Sequence, residues 1–167
     1  MFPFSETVCD LQAGAAALRR RRYGVIEVAT GRLERIRLRP FPKLISLPGV
    51  RLDEWLSHGR RSGDRCWVYY NQPRSSPSFL AVVHVVSTAG TSYRTLRLAA
   101  SVLDEIARIK RSDAIVCHVA NDRISDRLLT RWGWEPHAPR LRGRNFIKRF
   151  YGQYPAVQPL ETVLGES

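Results

Sequence analysis

Three consecutive segments decide the fold: FLAVVHVVST (79–88), YRTLRLAASVLDEIARIKR (93–111) and AIVCHVA (114–120). The first and last are short apolar runs rich in β-branched residues, which predict strands. The middle segment places apolar residues at helical spacing, and Thr91 or Ser92 can cap its start. A strand, a crossover helix and a second strand form a βαβ unit with parallel strands. We therefore expect a parallel strand pair covered by one helix.

Upstream of this unit, the patterns favour antiparallel pairing. CWVYYNQ (66–72) predicts a strand that pairs with residues 79–88, and the latter, apolar on both faces, is expected to be buried on both sides. VIEVAT (25–30) and RLERIRLRP (32–40) predict a hairpin with an arginine-rich face. KLIS (43–46) predicts a short strand, and Leu52, Trp55 and Leu56 predict one helical turn.

The ends of the chain complete the predicted organisation. We divide the chain into an N-terminal helical segment (1–23), a sheet core (24–155) and a tail (156–167). Asn121 or Asp122 is expected to cap a helix in RISDRLLTRW (123–132), and residues 144–154 should contain the final strand. No internal repeat or linker divides the sequence. The prediction is a single α+β domain with a central mixed, mostly antiparallel sheet flanked by helices.

The composition indicates in which compartment the protein works and which classes of partner it can bind. The chain has 167 residues and a formal charge of +12, and only three of its 27 basic residues are lysines, which leaves 24 arginines. Guanidinium groups suit phosphate and carboxylate partners, although such an excess can also serve only solubility. Three cysteines cannot all pair, and no segment reaches the about 18 apolar residues of a membrane span. We expect a cytoplasmic protein without a membrane partner.

The start of the 93–111 helix is the first candidate binding site. Backbone N–H groups at a helix N-terminus bind anions, and Arg94 and Arg97 add two cations there. A pyrophosphate could be held at this point. Alternatively, both arginines lie on the exposed face of the helix.

The order of elements then resembles the GNAT (N-acetyltransferase) superfamily over about residues 66–150. Arg94-Thr-Leu-Arg97-Leu-Ala99 takes the place of the loop that binds the acyl-CoA pyrophosphate, and the segment from Asn121 to Gly133-Trp134 takes the place of the second motif. The resemblance implies a GNAT-like fold with acetyl-CoA as acyl donor. It also implies cofactor contacts from Val85, Val86, Ser87, Arg94, Arg97, Leu98, Ala99 and Asn121.

Two positions depart from the family pattern. Arg97 stands where the family has a glycine, and its side chain could block the phosphate site or add a cation to it. Leu129 stands where a tyrosine often serves as general acid, so another residue or water would have to protonate the leaving thiolate.

Acyl transfer to an amine needs a base, and two histidines are candidates. His84 and His118 lie on the two strands that the resemblance places beside the acyl group, and an imidazole titrates near neutral pH. Each could equally be a core histidine. The leading prediction is an acyl-CoA-dependent N-acyltransferase that moves an acetyl group to an amine acceptor, as a monomer or homodimer.

The alternative is a catalytically inactive GNAT-like domain that binds an anionic partner such as nucleic acid. Its arginine-rich surface would comprise residues 19–22 and 32–39 and a second stripe, residues 140–149, with Phe146, Phe150 and Tyr151 interleaved. The four histidines and three cysteines have no metal-ligand spacing, so no metal is expected.

Overall fold

The computed structural model describes residues 6–41, 62–119, 124–138 and 142–156. These residues form an α+β fold with one open, mixed sheet and helices α1 (Ala15–Arg20), α2 (Tyr93–Lys110) and α3 (Asp126–Arg131). The strands are β1 (Glu6–Val8), β2 (Tyr23–Ala29), β3 (Arg32–Arg39), β4 (Arg65–Asn71), β5 (Phe79–Ser87), β6 (Ala114–Val119), β7 (Glu135–Pro136) and β8 (Arg144–Arg149).

The eight strands lie in the order β1-β3-β2-β4-β5-β6-β8-β7. The β5–β6 pair is parallel and every other neighbouring pair is antiparallel. The predicted βαβ unit and the antiparallel strands before it are therefore confirmed. The parallel pair therefore lies inside the mixed sheet, with β4 on one side of it and β8 on the other.

Helix α2 supplies the core that covers one face of the sheet. Ala99, Leu103 and Ile106 are buried against apolar side chains of the central strands. Ser92 caps the helix, since its hydroxyl accepts a hydrogen bond from the Thr95 amide, and Arg111 ends it in the left-handed conformation. The predicted helix and its cap are confirmed.

A smaller apolar cluster lies on the opposite face of the sheet. Val25, Trp67, Tyr69 and Val86 are its buried members. Tyr70, next to Tyr69, belongs to the main core instead. The sheet therefore has two apolar faces at β4 and β5, which is the reason these strands read as apolar on both sides.

The burial of β5 differs from the prediction. Only Leu80 and Val86 are buried in this strand, and its other residues are half-buried. A central strand is exposed in this way when one of its neighbours is not in contact along the whole length. The physical reason is a gap beside β5, described below.

The structure adds a strand to the N-terminal helical segment and moves the start of another helix. Residues 1–23 contain helix α1, and Glu6–Val8 forms a strand that pairs with β3, a long-range pairing that the local pattern does not show. Helix α3 begins after Ser125, whose hydroxyl accepts from the Leu128 amide 3.2 Å away, and not after Asn121 or Asp122. The predictions for Asn121, Asp122, residues 43–46, the turn at 52–56 and the tail from 157 lie outside the described residues.

Candidate functional site

The parallel pair β5–β6 is joined along only part of its length. Its pairing runs from Phe79–Ala114 to Val82–Cys117. Beyond that point β5 continues to Ser87 in contact with β4, and β6 continues to Val119 in contact with β8. The two strands therefore part after Val82 and Cys117 and leave a slot in the sheet.

A β-bulge lies at the point of parting. Tyr69 pairs with His84 whereas the next residue, Tyr70, pairs with Val82, so Val83 is an extra residue in β5. A bulge bends its strand and increases the local twist. The bulge at Val83 thus turns the second half of β5 away from β6.

A cavity of about 630 Å³ occupies this slot. Its volume is typical of small-molecule sites. The walls come from β5, β6, α2, the α3 region and the end of β4, and the lining residues are Tyr23, Val68, Asn71, Pro73, Ala81, Val82, Val83, His84, Val85, Leu96, Ala99, Ala100, Leu103, Cys117, His118, Val119, Ile124, Leu129, Trp132 and Trp134.

The two ends of the cavity differ in chemistry. Lining residues on the helix side are apolar: Ala99, Leu103, Leu129, Trp132 and Trp134 are buried, and Leu96, Ala100 and Ile124 are half-buried. Lining residues on the other side are half-buried or exposed and more polar: Tyr23, Asn71, Pro73, His84 and His118. The cavity therefore has a closed apolar end under the helices and an open end with two imidazoles.

The structure brings both predicted histidines to this one cavity. His118 is exposed, and its Nδ1 lies 3.0 Å from the Asn145 side-chain oxygen. If this nitrogen donates, Nε2 is left as the proton acceptor. His84 is half-buried, and its ring centroid lies 6.2 Å from that of Tyr69. The two histidines thus belong to the two strands that part, His84 to β5 and His118 to β6.

The predicted cofactor residues are distributed over several places. Val85 and Ala99 line the cavity. Val86 packs in the cluster with Trp67 on the other face, Ser87 pairs with Cys66, and Leu98 packs against the main core. Asn121 lies outside the described residues.

Arg94 and Arg97 take different positions on α2. Arg94 is exposed and passes beside Gly31 in the β2–β3 turn, so that a Cβ on this glycine would lie 2.8 Å from Arg94 Nε. The Arg97 guanidinium lies 5.4 Å from the ring centroid of Trp132. Within the described part of the chain, Arg97 Nη1 is buried without a hydrogen-bond partner.

The start of α2 holds a carboxylate. Asp64 Oδ1 accepts from the Ser92 amide at 2.7 Å, and Oδ2 accepts from the Ser92 hydroxyl at 2.8 Å. Partial burial acts to raise the pKa of Asp64, but hydrogen bonds from Ser92 and Thr95 outweigh it and lower the pKa below its usual value. An ionised carboxylate thus already occupies the positive end of the helix dipole.

Aromatic contacts connect α2 and α3 beside the lining residue Trp132. Trp132 Nε1 donates to the Tyr93 hydroxyl at 3.2 Å, and the two ring centroids are 5.9 Å apart. Because Arg97 lies against the same indole, these three side chains join the first turns of α2 to the end of α3. The polar N–H of Trp132 is satisfied there.

Two further lining residues are chemically inert. Burial raises the pKa of the Cys117 thiol to about 12, so it is a neutral thiol at physiological pH. Leu129 is buried and apolar. Neither side chain supplies a proton or a nucleophile.

Ion pairs and burial change the predicted basic stripes. Glu27 is buried and pairs with both Arg35 and Arg37. In the second stripe Lys148 is buried against Asp104, Arg149 pairs with Glu135, and Arg144 pairs with Asp126. Phe146 and Phe150 are buried while Tyr151 is exposed. These two phenylalanines are therefore core residues and do not form a surface for base stacking.

Sequence reasoning did not identify Asp64, Ala100, Leu103 or the two cavity tryptophans as site residues. Asp64 reaches α2 only through tertiary structure, since 28 positions separate it from Ser92. Trp132 and Trp134 flank Gly133 at the end of a helix, a position where large aromatic residues usually serve packing. Two tryptophans at one helix end were the sequence feature that could have indicated a pocket. The structure places both on the cavity wall.

Comparisons with protein-family models, with curated proteins and with solved structures gave no match. Among the described residues, no helix has the length and apolar character to cross a membrane. The same part of the chain holds no cluster of three or more His, Cys, Asp or Glu side chains that could bind a metal ion.

Proposed function

We propose that this chain is a GNAT-like, acyl-CoA-dependent N-acyltransferase that binds the acyl thioester in the slot between β5 and β6. The parting of these strands at the Val83 bulge is the observation that carries the proposal. Where two strands part, the backbone groups that would have paired become available to a ligand. Val83 and Val85 would thus offer hydrogen bonds to the amide groups of a pantetheine arm.

The proposed reaction is direct transfer to an amine. The amine nitrogen attacks the thioester carbonyl carbon, the carbon–sulfur bond breaks, and an amide and a free thiol result. His84 is the base that takes the proton from the attacking nitrogen, since it lines the slot beside Val83 and Val85. The thiolate takes its proton from water, because Leu129 has none to give.

The residues fit one part of acyl-CoA better than the other. The apolar slot suits the thioester and the arm that carries it. The start of α2, proposed for the pyrophosphate, holds the Asp64 carboxylate, which repels an anion. Arg94 and Arg97 would have to offset this charge, so we derive no catalytic step from the phosphate groups.

The carboxylate of Asp64 favours a second candidate function. A GNAT-like domain without acyl transfer would need no phosphate site at α2, and Leu129 in place of an acid agrees with that. Such a domain would bind an anionic partner, such as nucleic acid, through arginines outside the ion pairs described above.

Thiol release from acetyl-CoA in the presence of a panel of primary amines tests the leading proposal. We expect release by the wild-type protein and a loss of about a hundredfold or more in kcat for His84→Gln. His137→Gln is the matched control, because His137 is exposed and lies apart from the cavity lining.

Two results would count against this account. Loss with His118→Gln but not with His84→Gln would transfer the role of base to His118. No thiol release together with no binding of acetyl-CoA at millimolar concentration would reject acyl transfer from this donor. The non-catalytic candidate would then stand.

A further inference from the structure

We infer that the slot accepts an acyl donor with an aliphatic chain of several carbons beyond the acetyl group, held at the closed end of the cavity. The inference rests on the proposed function and specifies its substrate class. It comes from the size, shape and chemistry of the cavity rather than from the catalytic residues.

The closed end is built from apolar surface. Leu103, Leu129 and the rings of Trp132 and Trp134 face it, and each of these side chains is buried in the protein. A space of this kind stays dry, and it is filled favourably only by apolar groups. A donor whose acyl group has only two carbons would leave the apolar surface of this end without contacts, although its pantetheine arm takes up part of the cavity.

Small residues on α2 keep the space open. Ala99 and Ala100 lie on the cavity wall between Leu96 and Leu103. Larger apolar side chains are common in a helix core and would have filled this volume, which natural interiors rarely leave empty. The two alanines therefore make room for a ligand chain.

Among the residues that the structure describes, those at the closed end offer only weak hydrogen-bonding groups to a hydrophilic molecule. Trp132 Nε1 already donates to Tyr93, and the neutral thiol of Cys117 is only a weak hydrogen-bond group. A polar acceptor at this end would lose its hydration without replacement. The acceptor amine therefore approaches from the open end.

The two ends together orient an amphiphile. His84, His118 and Asn71 provide polar groups at the open end, and the apolar wall receives the chain. An acyl thioester with its carbonyl between the histidines and its chain under α2 matches both ends. An acetyl donor matches only the open end.

Calorimetric titration with acetyl-CoA, octanoyl-CoA and free octanoate tests this inference. We expect octanoyl-CoA to bind at least about tenfold more tightly than acetyl-CoA, because several more methylenes leave water. Octanoate should bind as well, since the chain is the recognised group. Ala100→Phe fills the cavity and should abolish the preference, whereas Ala16→Phe, on the exposed face of α1, should keep it.

Amide hydrogen exchange gives a second readout on the wild-type protein, in case Ala100→Phe fails to fold. Saturating octanoyl-CoA should slow exchange in residues 129–134, which include three lining residues of the cavity, and strand β1, which contributes no lining residue, is the internal control. Equal affinity for acetyl-CoA and octanoyl-CoA, or unchanged exchange in residues 129–134 under saturating octanoyl-CoA, would overturn the inference.

The failures of the two proposals can be told apart. Tight octanoyl-CoA binding without thiol release to any amine would keep the chain pocket and reject the transfer reaction. Turnover of acetyl-CoA with no preference for octanoyl-CoA would keep the transfer reaction and reject the chain pocket.

Discussion

At the scale of single residues, an anion lies at the start of α2 and a cation lies at its end, and the two have different effects. Asp64 places a carboxylate at the positive end of the helix and stabilises it through Ser92. At the other end Lys110 Nζ donates to the Arg21 carbonyl at 2.7 Å and to Gln72 Oε1 at 3.0 Å. The Asp64 carboxylate opposes binding of a phosphate at the start of α2. The Lys110 ammonium is half-buried near a second cation, Arg22.

Because of Lys110, the free energy of unfolding should vary with pH in the alkaline range. Burial, with a further effect from Arg22, lowers the pKa of Lys110 from 10.5 to about 8. Between these values the unfolded chain binds more protons than the folded one, so the free energy of unfolding from this group rises with pH. The rise should be less than about 1.4 kcal/mol per pH unit, since partial exposure screens the group.

Urea unfolding of wild-type protein and Lys110→Met between pH 8 and 10 measures this effect. The difference in stability between them should change with pH in favour of the wild type. Arg74→Met, which removes an exposed cation, is the control and should follow the wild-type profile. Parallel profiles for wild type and Lys110→Met would contradict the assigned cause.

At the scale of elements, β5 shows where sequence reasoning ends. Its valines predicted a strand, and the strand is there. The bulge at Val83 could not be predicted, because Val82, Val83, Val85 and Val86 have the same side chain and any of them could be the extra residue. The position of the slot depends on which valine forms the bulge. Tertiary packing determines this position, and the local sequence does not.

A buried ion pair joins α2 to β8 and should be a main support of the wall of the slot. Lys148 Nζ lies 2.7 Å from Asp104 Oδ2, and both side chains are only 8% exposed. Burial raises the pKa of Asp104, against the opposing effect of Lys148. Lys148→Met leaves the carboxylate without its main partner and should cost about 3 kcal/mol or more of the free energy of unfolding.

Two comparison variants make this prediction specific. Asp104→Leu combined with Lys148→Met should recover most of the lost stability, because no charge remains buried. Arg149→Met breaks the neighbouring exposed pair with Glu135 and should cost less than about 1 kcal/mol. Chemical denaturation that gives Lys148→Met and Arg149→Met the same stability would refute the role of the pair.

At the scale of the whole molecule, element order was predictable and long-range arrangement was not. The βαβ unit, the antiparallel strands before it and the Ser92 cap follow from local pattern and are confirmed. The strand Glu6–Val8 and the contact of Asp64 with α2 depend on distant partners and were missed. The histidines were proposed from their strands, and only the fold shows that they share one cavity.

The net charge of +12 also changes meaning at this scale. Some of the arginines form ion pairs with residues of the same sheet, such as Arg35 and Arg37 with Glu27. The predicted stacking stripe loses Phe146 and Phe150 to the core. The remaining surface arginines attract anions in general. The slot, in contrast, has a defined shape that a specific ligand can fit.

A crystal structure of the protein with bound octanoyl-CoA tests the central claim most directly. We predict electron density for the thioester between β5 and β6, beside His84, with the acyl chain against Leu103, Leu129 and the tryptophans under α2. Density for the ligand at another surface, with the slot empty or closed, would contradict the account.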